Sequence, residues 1–126
     1  MARMTATPAQ IRPSPLIALR LAGIESGEEG GWAGGAAGKI YVTKNGGRLW
    51  IEQRSGIEQD ISDIVFLNST DGFAVGDQGK LLSTASAGAS WKIENISSKN
   101  KLERIVFTGN TGFVVGFGGT ILKYQL

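Results

Sequence analysis

A unit of about 40 residues is written twice in this chain and begun a third time, and that period bounds the folds open to it. Gly31–Asp71 set against Gly72–Thr111 places Trp32 on Phe73, Gly38 on Gly79 and Thr43 on Thr84, with Trp50 on Trp91 and Phe66 on Phe107. A third copy opens at Gly112 and runs to Leu126. Units of this size cannot bury their own faces, so each must stack on a neighbour.

The second copy shows what the unit is made of. Ile61–Leu67 is apolar, β-branched and bounded by turn residues, which reads as a strand buried on both faces. Gly72–Gly76 gives a second strand, and Asp77-Gln78-Gly79 supplies the φ > 0 position of a tight hairpin. Lys80–Thr84 and Trp91–Ile96 complete the set, separated by a corner at Ala87-Gly88. Glycine interrupts every window long enough to show a helical period. The expected fold is therefore all-β: four-stranded antiparallel β-propeller blades, about three of them, in an incomplete ring.

With strands lettered a to d from the centre outward, blade one covers about residues 17–54, blade two 61–96 and blade three 102–126. An N-terminal arm, 1–16, precedes them. Blade one uses Ile17–Leu21, Gly31–Gly34, Lys39–Thr43 and Trp50–Arg54; blade three uses Leu102–Thr108, Gly112–Gly116 and Thr120–Tyr124 and lacks strand d. Three blades fall short of the about four to eight that close a ring. Copies of the chain assemble, or a second chain completes the propeller, or the sequence is a fragment. Thr5–Ile11 is a candidate for the missing d strand of a neighbour, since Pro8 is tolerated on an edge.

Composition narrows the chemistry. The chain has no Cys and no His, which removes disulfides, thiolate sites, the commonest general base and the commonest metal ligand. No cofactor, metal or catalytic residue is expected. Net charge is +2 with no polybasic block, so nucleic acid is not an expected partner. The apolar run Leu16–Leu21 is broken by Arg20 and too short for a signal core or a membrane span. That makes the cytoplasm the default compartment, with a faint transit-peptide character in the Arg-bearing N-terminus.

The c–d corners carry a recognisable motif. Thr43, Asn45, Gly47 and Trp50 correspond to Thr84, Ser86, Gly88 and Trp91. They resemble the Asp-box of sialidase-type propellers, with Asn45 and Ser86 standing where Asp is usual. The motif's work is local: a short polar side chain caps backbone N–H groups, Gly takes the φ > 0 turn, and the aromatic plugs the space between strands. The unit as a whole, from GWAGG through TKNGGRLW to GFAVGDQGKLLST, closely resembles the repeats of the photosystem II stability and assembly factor family. The resemblance covers Gly31–Leu126. It implies a non-enzymatic scaffold of the thylakoid lumen that binds a photosystem II reaction-centre subunit.

Two other readings compete: a remnant of a sialidase-like or glycan-binding propeller, and a split fragment without independent function. Tyr41 and Tyr124 fall on c strands, away from a central channel, so a sialidase constellation is not apparent. Asp63, inside an inner strand, is expected to line a solvated channel, while Asp71 and Asp77 suit turns. Lys99, Lys101 and Arg104, close in sequence around a d–a connection, are the candidate partner-binding patch. Phe117, an aromatic at a turn tip, joins them as a contact to a partner or to a neighbouring blade.

Overall fold

The computed structural model describes residues 16–22, as backbone alone, and 30–126. The arm, the strand expected at Thr5–Ile11 and most of the connection after blade one's first strand lie outside the described residues. Every strand pairs with its sequence neighbour in antiparallel fashion, which gives three sheets. The first is β1 (Leu16–Ala22), β2 (Gly30–Gly35), β3 (Ile40–Thr43) and β4 (Trp50–Gln53). The second is β5 (Ile61–Phe66), β6 (Gly72–Gly76), β7 (Leu81–Thr84) and β8 (Lys92–Glu94). The third has three strands, β9 (Leu102–Thr108), β10 (Thr111–Gly116) and β11 (Ile121–Gln125). These are propeller blades, set side by side in an open arc with β1, β5 and β9 as the inner strands.

The outermost strand of blade two is shorter than the Trp91–Ile96 expected. The Thr84 hydroxyl holds the Ser90 carbonyl at 2.7 Å, and Trp91 sets its ring edge-on to Phe66 at 5.9 Å. Pairing with β7 therefore starts at Lys92 and ends at Glu94. The b–c connections also differ from simple hairpins. Each is a single 3-10 turn, Ala36–Gly38, Asp77–Gly79 and Phe117–Gly119, with two successive residues in the left-handed region. At Gly38 and Gly79, a Cβ would also run into the backbone carbonyl of Ile57 or Ser98 from the next connection. Glycine recurs there because conformation and space both demand it.

Each inner strand carries a bulge at the same repeat position, between Leu16 and Ala18, between Ile61 and Asp63, and opposite Val115 and Gly116 in blade three. Alternation of side chains along the strands gives each blade a leading face, turned toward the next blade, and a trailing face. Trp32, Ile40 and Val42 on the leading face of blade one pack against Ile61, Ile64, Ala74 and Leu82 of blade two. Phe73, Val75 and Leu81 repeat the arrangement against Leu102, Ile105 and Val114 of blade three. The core thus lies between blades, in two joints. Gly72 and Gly112 leave room for the Phe66 and Phe107 rings, which a Cβ would meet at 2.6 Å.

Candidate partner-binding face

The b–c turns and d–a connections meet at one end of the arc. The Asp77 N–H donates to the Asp60 carbonyl (3.0 Å), and the Phe117 N–H donates to the Lys101 carbonyl (2.9 Å). Within this end, equivalent positions carry opposite charge: Glu58, Gln59 and Asp60 align with Lys99, Asn100 and Lys101. Both sets tie a connection back to the preceding blade. The Asp60 carboxylate accepts the Ala37 N–H at 2.8 Å, whereas Lys101 approaches the Asp77 carboxylate at 4.0 Å. Sequence reasoning passed over Asp60; its alignment on Lys101 was the available signal.

Lys99 and Lys101 are exposed. The Lys101 ammonium lies 5.9 Å from the centroid of the exposed Phe117 ring, a spacing at which cation and ring attract. Basic and aromatic groups therefore share one rim. Arg104 does not belong to that cluster. It pairs in register with Val115 on β10 and sits on the leading face of blade three.

The corners form the other end of the arc. The Thr43 hydroxyl oxygen accepts the Gly47 N–H (3.0 Å) and donates to Asn45 Oδ1, which accepts the Leu49 N–H at 2.9 Å. In the second corner Thr84 Oγ1 accepts the Gly88 N–H (3.0 Å) and Ser86 Oγ accepts the Ser90 N–H (3.1 Å). Neutral acceptors at Asn45 and Ser86 hold these amides in place of a carboxylate. Gly47 and Gly88 both take φ of 88°. Trp50 is half-buried beside Gly47, and Trp91 completes an aromatic group with Phe66 and the Trp32 stacked on it at 3.5 Å.

Asp63 departs from the expected solvated channel lining. It is buried, with one carboxylate oxygen accepting its neighbour Ile64 N–H (2.9 Å) and the other accepting Ile105 N–H of blade three (3.0 Å). It is a lock between blades. The bulge turns this position toward the following blade, and a carboxylate can satisfy a strand amide that has no ladder partner there.

The second joint also holds a cleft of about 450 Å³, lined by Phe73, Trp91, Tyr124 and Leu126 among others. At the first joint the Trp32 Nε1–H and Gln53 Nε2–H both donate to the Ala87 carbonyl of the blade-two corner, at 3.1 and 3.2 Å. Burial, then the Glu94 charge, raises the Tyr124 phenol above its ordinary value. Among the described residues no group of three or more carboxylates is placed to hold a metal ion, and no helix is long and apolar enough to cross a membrane.

Residues 49–125 match the family model of the photosynthesis system II assembly factor YCF48. No curated protein matches the chain. Among solved structures, YCF48 from Cyanidioschyzon merolae superposes with a TM-score of 0.72 at 18% identity, over 90% of this chain and 38% of that one. A YCF48 bound to D1 peptide superposes with a TM-score of 0.71 at 18% identity, over 87% of this chain and 37% of that one. This chain thus spans little more than a third of the length of these structures.

Proposed function

The chain belongs to the photosynthesis system II assembly factor YCF48 family, and we propose that it is a non-catalytic scaffold that binds a photosystem II reaction-centre protein. The observation that carries this reading is the similarity to a YCF48 bound to D1 peptide. A chain with no His and no Cys has few means of acid–base or nucleophilic catalysis, which agrees with a binding role. The contact surface in this reading is the end of the arc that presents Lys99, Lys101 and Phe117. Two exposed cations, Lys101 only loosely paired with Asp77 at 4.0 Å, beside an exposed ring suit a peptide carrying carboxylates, steering it by charge and holding it by the ring.

The test is binding of a fluorescent D1 peptide, followed by anisotropy at two salt concentrations. Lys99→Glu with Lys101→Glu is expected to weaken binding roughly tenfold and to flatten the salt dependence. Phe117→Ala is expected to weaken it at either salt. A D1 peptide that does not bind the wild-type chain overturns the partner; binding indifferent to all three substitutions overturns the face.

A further inference from the structure

The leading face of blade three is built from the repeat positions that the two joints bury. Phe113, Val115 and Ile121 are 37%, 43% and 72% exposed, while their counterparts Phe73, Val75 and Leu81 are 5%, 1% and 2% exposed. Val106, cross-strand from Phe113, is exposed as well. We propose that this face is an interface for the trailing face of a further blade of the same repeat, one bearing a carboxylate opposite Arg104. The continuity of the surface with two existing joints identifies the kind of occupant, and charge narrows it.

Arg104 stands in register where blade two has Asp63. There the carboxylate accepts the Ile105 N–H across the joint; a guanidinium only donates and needs an acceptor from the incoming blade. Lys123, opposite Phe113 on β11, adds a second positive charge, where Ser83 and Val42 occupy the matching positions. A second copy of this chain fits poorly. The positions of blade one in register with Leu102, Ile105 and Phe107 are Leu16, Leu19 and Leu21, and the carboxylate beside its buried Tyr41, that of Glu52, stands on the outer strand β4 and is already paired with Lys39 at 3.3 Å. Arg104 is therefore a selector as well as part of the surface, and this inference is independent of what the b–c end binds.

The test extends the chain with its own parts. Residues 85–101 appended after Leu126 supply a corner, outer strand and connection, and 61–96 follow as a fourth blade. Amide exchange in β9–β11 should slow on extension, and Phe113→Asp should lower the thermal midpoint of the extended chain while leaving the parent's unchanged. Arg104→Asp recreates the blade-two lock against the grafted Ile64 N–H. It should raise the extended chain's midpoint by roughly 2–4 °C and leave the parent's in place. Unchanged exchange with an indifferent Phe113→Asp overturns the docking, and a lowered midpoint for Arg104→Asp overturns the selector. Should the extension not fold, the unextended chain still decides. Hydrophobic-dye binding that Phe113→Asp abolishes supports the open face, and absence of dye binding overturns it. A defined dimer of the unextended chain that Phe113→Asp dissociates makes a second copy the occupant and overturns the proposal.

Discussion

Asp63 shows how much one side chain contributes to an arrangement built from repeats. Its carboxylate accepts two backbone amides, one of them in the next blade. Asp63→Ala strands buried N–H groups and is expected to cost about 2–3 kcal/mol in urea unfolding, with Asp63→Asn recovering part of the loss. A cost below about 0.5 kcal/mol would mean that water replaces the carboxylate. Tyr124 offers a second measurement. Its raised phenol pKa means that the folded chain keeps the proton longer than the unfolded one. This contribution is complete below the unfolded value, about pH 10, and is lost as pH rises through the higher folded value. Stability should therefore fall as pH rises past about 10 and fall less in Tyr124→Phe, as urea midpoints would report.

At the scale of elements, the strands were legible because apolar runs, glycines and repeat register agree. The shortness of β8 was not, because it follows from the Thr84 bond to the Ser90 carbonyl and the inward Trp91 ring. The lock at Asp63 was invisible for a similar reason: its acceptor role depends on a backbone amide 42 residues away, and an amide has no sequence signature. Lys99 and Lys101, placed together in sequence, lie exposed on one connection. Arg104 is separated from them because proximity in sequence crosses from a loop onto a strand, where alternate residues face opposite ways. At both corners the threonine hydroxyl accepts the amide of the turn glycine. Thr84→Val removes the acceptor for the Gly88 and Ser86 amides and should cost about 1–2 kcal/mol, measured against the same change at Thr43.

Across the whole molecule, stability is divided between two joints with different fastenings. Trp32→Phe removes the indole bond to the Ala87 carbonyl in the first, and Asp63→Ala removes the carboxylate in the second. If blades behave as stacked units, the double variant should lose the sum of the two costs within about 0.5 kcal/mol. A coupling energy above about 1 kcal/mol in that cycle would show that blade two passes strain from one joint to the other.

The two joints are held in different places. The first joint is pinned at its corner end by two side-chain bonds to Ala87, while the second is fastened near its inner strands by Asp63 and holds the cleft. Removing one carboxylate therefore unfastens the second joint near its inner strands, whereas the first holds two bonds to a single carbonyl at its corner.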